Sequence, residues 1–246
     1  MSGRPSVLLL GGLEPSGKAG LLADVDTCQK FKVRPWALAT CLTAQGEKTF
    51  LSAPVAPAVL RRQWKALNEG GDFSAMKTGA LPDADVLRLC LWARRRQKVP
   101  WVVDPVVRTS RAERLSALTR PHFLGLAGEG VVLTPNLPEL AWLCGRPLPK
   151  DEAAVVALGQ GLAQRGYAAV VVKGGHALGH STDVVCLSSK VYFLRAGKRL
   201  SPSPHHRGTG CRFASALASA LALGQDVVES ARRARAHVRE FLLSPP

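Results

Sequence analysis

Short apolar runs alternate with segments of helical spacing along most of the chain. "SVLLLGG" (residues 6–12) reads as a buried strand, and residues 19–31 follow as a helix because Leu21, Leu22, Val25 and Cys28 share one face. The same logic predicts a strand over 34–46, a helix over 56–71, a strand and turn over 72–81, a helix over 83–98 and a strand over 99–107. Residues 108–126 have no clean period, and a helix is expected there over 111–119. Two further apolar strands, 130–136 and 167–175, are separated by helices at 137–145 and 151–166. The pattern then changes to the alternation of a hairpin over 181–200, and a helical C-terminal third follows, its first helix starting near Cys211.

Strands of nearly continuous apolar character interleaved with helices point to an α/β protein with a doubly wound, mostly parallel central sheet and helices on both faces. The absence of repeats, linkers and low-complexity stretches makes 1–246 a single domain with a small lid or none. In such sheets ligands gather beyond the carboxyl ends of the strands. Nearly every polar oddity falls there: the turn from Gly12 to Lys18, Gln45, Lys77 to Gly79, Asp104, Asn136 with Glu139, and Lys173.

Among these, "GTGC" at Gly208, Thr209, Gly210 and Cys211 opens a long helix of small and apolar residues. Its free amides and positive dipole end would hold an anion, with glycines permitting close approach. Cys211 would sit where a helix end lowers a thiol pKa. A plain glycine turn remains the alternative reading. Asp104 and Glu139 at neighbouring strand ends suit Mg²⁺, which takes one or two protein carboxylates and keeps its waters. Each acid alone could instead be a cap or first-turn residue, with Asn136 the N-cap. Lys173 ends a strand too apolar to need it and would serve a group at the sheet edge, or snorkel. Asp24 and Gln45 lie near the first strand ends, and Gln45 can offer both a donor and an acceptor to a ring. His176 and His180 have i, i+4 spacing but no third ligand, so they read as surface histidines.

Charge changes this picture little. Lys and Arg number 33 against 18 Asp and Glu, a formal +15, which raises the question of nucleic acid. The arginines cluster on amphipathic helices as solvated faces, without aromatic interleaving or a helix-turn-helix signature, so nucleic acid is disfavoured as a partner. The six cysteines form no Cys-x-x-Cys pair, which speaks against a disulfide framework or zinc site and fits a reducing, cytoplasmic setting. The first apolar run is too short for a membrane span of roughly 20 residues, and none longer approaches it. No Walker P-loop occurs.

Taken in order, "EPSGKAGLLADVDT", "LTAQG", "MKTGAL", "VVDPVV", "LTPNLPEL", "VVVKGGH", "STD" and "GTGC" resemble the hydroxymethylpyrimidine and phosphomethylpyrimidine kinases of thiamin biosynthesis, within the ribokinase-like superfamily. The resemblance spans Leu8 to about Ala236. It implies ATP-dependent phosphorylation of a hydroxymethylpyrimidine or its monophosphate, with Mg²⁺, in a cytoplasmic homodimer. It further implies an anion hole at Gly208, Thr209 and Gly210, with Cys211 in the catalytic-base position. Gly12, Asp24, Gln45 and Val106 would then form the pyrimidine pocket, Asp104 and Glu139 the acids around Mg-ATP, and Lys173 with Asn136 the phosphate end. Pyridoxal kinases share several of these motifs. A pyridoxal kinase, or a catalytically weak relative that binds a ligand or nucleic acid, is therefore the competing reading. Departures from the resembled pattern are Glu14 for aspartate, Lys18 for glycine, Gly46 for asparagine, Ala80 for methionine, and "SPHHRGTGC" for "NTHGTGC". Lys18 would either reach a phosphorylated substrate or point to solvent.

Overall fold

The computed structural model describes residues 4–46, 48–69, 72–109, 112–174, 180–198, 200 and 206–244. Its nine strands form one sheet in the order β3-β2-β1-β4-β5-β6-β7-β8-β9. These are β1 (Ser6–Leu13), β2 (Arg34–Gln45), β3 (Phe50–Pro54), β4 (Ala75–Thr78), β5 (Trp101–Val103), β6 (Val131–Leu133), β7 (Ala169–Val172), β8 (His180–Cys186) and β9 (Val191–Lys198). The run from β2 through β1, β4, β5 and β6 to β7 is parallel, and antiparallel strands close both edges.

The helices are α1 (Gly20–Lys30), α2 (Pro57–Asn68), α3 (Ala84–Arg96), α4 (Arg120–Leu124), α5 (Leu137–Cys144), α6 (Glu152–Ala163), α7 (Thr209–Ala222) and α8 (Val227–Leu243). They divide the core into two layers. Leu8, Leu10, Trp101, Val103, Leu133 and Val170 point into the layer of α2 to α6. Their strand neighbours Val7, Leu9, Val102, Val132 and Val171 point into the layer of α1, α7 and α8. This is why the strands read as unbroken apolar runs: burial on both faces leaves no polar alternation. Aspartates set several helix starts, with Asp83, Asp151 and Asp226 accepting from first-turn amides.

One helical expectation fails. Over the described part of 111–119 the backbone is a loop: Leu115 N–H donates to Val107 O, Ala117 N–H donates to Pro82 O, and Ala112 has φ +70°. Leu115 and Leu118 are buried by this folded-back path, so apolar burial is met without the helix. A short helix, α4, begins afterwards at Arg120 behind the Thr119 cap. The strand β3 was also not anticipated. It pairs antiparallel with the end of β2 as a small edge flap, its turn closed by Gly46 N–H donating to Thr49 O at 2.9 Å. The hairpin expected near 181–200 is present as β8 and β9.

Two features place the site. The strand order reverses at β1: β2 lies on one side and β4 on the other, so the connections leaving β1 and β4 run to opposite sides and open a crevice. On the α1, α7 and α8 face, α7 is buried all round from Arg212 to Ala220, and its small residues Ala214, Ser215, Ala216, Ala218, Ser219 and Ala220 let it pack closely, which brings its N-terminus to the strand ends.

Candidate active site

A cavity of about 790 Å³ opens at those strand ends. Its size falls within the range of small-molecule sites. Every residue proposed from sequence for this site lines it: Gly12, Asp24, Gln45, Asp104, Val106, Asn136, Glu139, Lys173, Gly208, Thr209, Gly210 and Cys211. Lys18 does not; it is exposed, and its carbonyl accepts from Arg212. His176 and residues 201–205 of the "SPHHR" approach lie outside the described residues, as does the side chain of His180.

At one end stands the N-terminus of α7. It starts at Thr209, two residues before the expected position, behind Gly208 in the left-handed conformation (φ 78°). A Cβ on Gly208 would lie 2.2 Å from Lys18 O, so both the turn and the close approach of the loop before α1 require glycine. The first helical bond is Arg212 N–H to Gly208 O, and the amides of Thr209, Gly210 and Cys211 precede any carbonyl of their own helix.

Beneath these amides lies a charged cluster from three strand ends. Lys173, which follows β7, donates to Asp104 Oδ1 at 2.7 Å and stands 4.0 Å from Glu139 Oε2. Thr134 Oγ1 also donates to Asp104 Oδ1. Glu139 and Asn136 form a reciprocal capping box on α5, each side chain accepting the other's backbone N–H at 2.8 Å. The cap and the site are thus one arrangement, since the box holds Glu139 in the cavity wall. Burial, with Asp104 nearby, raises the Glu139 carboxyl to about 7 against the pull of Lys173. Burial alone would lower Lys173, but Asp104 and Glu139 outweigh it and hold its pKa above the ordinary value. A Cβ on Gly210 would lie 3.4 Å from Lys173 Nζ and 3.9 Å from Asp104 Oδ2. The first turn of α7 at Gly210 therefore comes within one methyl group's width of Lys173 and Asp104.

The cavity floor holds a group that sequence reasoning noted without assigning. Lys77, fully buried on β4, donates to Asp24 Oδ2 at 2.7 Å, and Ser215 of α7 donates to Asp24 Oδ1 at 2.7 Å. Asp24 thus reaches the cavity with both oxygens engaged. Against the burial that would lower it, Asp24 holds the Lys77 ammonium above its ordinary pKa. The signal that marked Lys173, a lysine in an apolar strand, applies equally to Lys77.

Cys211 corrects an expectation. Its thiol is raised, not lowered: burial dominates, Asp24 and Asp104 add to it, and Lys77 with a hydrogen bond from Gly20 N–H only partly opposes. A helix dipole depresses a thiol that water can also reach. Here dehydration beside two carboxylates wins. Gln45 also differs from the free donor and acceptor expected, since its Oε1 accepts from Arg207 at 2.5 Å and its Nε2 contacts Thr43 Oγ1 at 3.4 Å.

A switch-point cavity with helix amides facing a lysine and two carboxylates, on this sheet, defines a phosphotransferase of the ribokinase-like α/β kind. The chain belongs to the phosphomethylpyrimidine kinase family, whose model matches residues 14–245. It is 32% identical to the hydroxymethylpyrimidine/phosphomethylpyrimidine kinase of Streptomyces coelicolor, over 95% of this chain and 87% of that protein. The enzyme of the same name from Aquifex aeolicus is 29% identical, over 96% and 93%. Among solved structures, pyridoxal kinase from Staphylococcus aureus in complex with AMP-PCP superposes with a TM-score of 0.87 at 26% identity, covering 97% of this chain and 88% of that one. The chain is thus an ATP-dependent kinase.

Proposed function

We propose that this kinase transfers the γ-phosphoryl group of ATP to the hydroxymethyl group of 4-amino-5-hydroxymethyl-2-methylpyrimidine and to its monophosphate, for thiamin biosynthesis. The observation that carries the reading is the α7 amides facing Lys173, Asp104 and Glu139 across the cavity, in a chain whose relatives bear that name. Gly12, Asp24, Gln45 and Val106 form the side of the cavity that takes the ring. The amides of Thr209, Gly210 and Cys211, with Lys173, hold the phosphoryl group.

The residues present fit Mg²⁺. The described hydrogen bonds engage Asp104 Oδ1 and Glu139 Oε2, which leaves Asp104 Oδ2 and Glu139 Oε1 as hard oxygen donors. Two carboxylates suffice for such an ion, whose remaining positions would be taken by water and phosphate oxygens. Bound there, the ion supplies neutralisation of phosphate charge. The substrate oxygen forms its bond to the γ-phosphorus as the bond to the β–γ bridging oxygen breaks, and ADP departs with that electron pair. In a loose transition state the hydroxyl proton leaves late, to an oxygen of the transferred group and then to water. Positioning and charge stabilisation by Lys173 and the helix amides therefore supply most of the acceleration.

Cys211, with a raised thiol, orients the substrate hydroxyl and does not abstract its proton. Cys211→Ser is expected to keep kcat within about tenfold, whereas Cys211→Ala loses about 10²-fold, of the order that a misplaced reacting group costs. Steady-state kinetics on folded variants checks this. Equal losses in both, with a wild-type rate that climbs through a thiol pKa, would restore the base assignment.

The reading includes a single domain in the cytoplasm, assembled as a homodimer. The dimer is supported by exposed Leu42 and Leu51, which share one face of the β2 and β3 edge. Nucleic acid is left out because Arg61, Arg62, Arg88, Arg95 and Arg96 are exposed on the outer helices α2 and α3, and none of them lines the cavity. No helix of the described residues is long and apolar enough to cross a membrane. The pyridoxal kinase likeness makes pyridoxal the competing substrate. An ADP-release assay with hydroxymethylpyrimidine, its monophosphate and pyridoxal decides: turnover of the pyrimidines is expected, and turnover of pyridoxal alone, or of none, overturns the proposal.

A further inference from the structure

Most charge in the cavity wall is already matched. Lys77 is paired with Asp24, and Lys173 with Asp104 and Glu139. Arg108 turns back to donate to Ala112 O at 2.8 Å. Arg207 differs. It lines the cavity, directly precedes the Gly208 turn, and has no carboxylate partner among the described residues. Its guanidinium reaches 162 positions back along the chain to donate to Gln45 Oε1 at 2.5 Å.

A guanidinium carries five donors and favours phosphate oxygens. A neutral amide oxygen uses one donor and neutralises no charge.

From this geometry we infer that Arg207 is a specificity residue that makes the kinase favour the phosphorylated pyrimidine over the unphosphorylated one. The inference rests on the pyrimidine reading above. A phosphomethyl substrate satisfies the guanidinium, and the released Gln45 Oε1 is then free to accept from an amino group on the ring. A neutral hydroxymethyl substrate must compete with Arg207 for that oxygen while giving the guanidinium no charge in return. The anion therefore gains twice, once through Arg207 and once through the freed amide.

The test is Arg207→Gln, which removes the charge and keeps a donor for Gln45, with Arg207→Lys as the charge-retaining control. A charge-assisted hydrogen bond contributes roughly 1.5–3 kcal/mol. The ratio of kcat/KM for the monophosphate to kcat/KM for hydroxymethylpyrimidine is accordingly expected to fall about ten- to a hundredfold in Arg207→Gln. Most of the change should appear in KM for the monophosphate, and Arg207→Lys should retain an intermediate ratio. An unshifted ratio in a folded Arg207→Gln protein, or a wild type that turns over only the unphosphorylated pyrimidine, overturns the role of Arg207 alone. A wild type that turns over neither pyrimidine overturns the function and this inference together.

Discussion

Lys77→Met is expected to cost about 3–5 kcal/mol of folding stability, read as a lowered denaturation midpoint in guanidinium or urea. Lys77 and Asp24 are essentially inaccessible to water, and the ammonium is the only cation the buried carboxylate touches among the described residues. Methionine fills the space of the lysine stem but leaves Asp24 charged against Ser215 alone. A dehydrated carboxylate without a counter-charge must be protonated or must open the structure to water, and either route is costly. The double variant Lys77→Met/Asp24→Leu removes both charges and should recover most of the lost stability. It should not recover activity, because the cavity floor is rebuilt. A single variant as stable as the wild type would show that Asp24 does not depend on Lys77.

Gly210→Ala is expected to leave the fold intact, with up to about 1 kcal/mol of added stability, and yet to reduce kcat by about 10²–10³-fold. Gly210 occupies the first turn of α7 with ordinary helical φ, so alanine suits the backbone. The new methyl would nevertheless stand 3.4 Å from Lys173 Nζ and 3.9 Å from Asp104 Oδ2, beside the amides proposed to hold the phosphoryl group. Thermal unfolding and kcat should therefore move in opposite directions. Full activity in this variant would place phosphoryl transfer elsewhere.

Much of the site was legible before the fold was known, because strand ends and helix starts announce themselves locally. "VVVKGG" exposes Lys173 as a charge that an apolar strand does not need, and "GTGC" announces a glycine turn before a helix. Asn136 reads as an N-cap and Glu139 as a first-turn acid, and the structure joins them in one capping box. The failures have the opposite origin. The helix expected over 111–119 rests on a stretch with no clean period, and carbonyls of Val107 and Pro82, the latter 35 residues from its partner, claim amides there. A lowered thiol at Cys211 follows from its helix position, but burial by the packed fold raises it, and Asp24 and Asp104, more than a hundred residues away, add to that against Lys77.

The chain's own pattern determined most of the strand and helix order, β3 and α4 apart, together with the layered α/β class and the residues gathered at the strand ends, since periodicity and turn chemistry act over a few neighbouring positions. Only the tertiary structure decided which of those residues pair: Lys77 with Asp24, Lys173 with Asp104, and Arg207 with Gln45. Those pairings depend on the crossover that sets β4 beside β1 and on how closely α7 packs, and the protonation of each group depends on the water that packing removes.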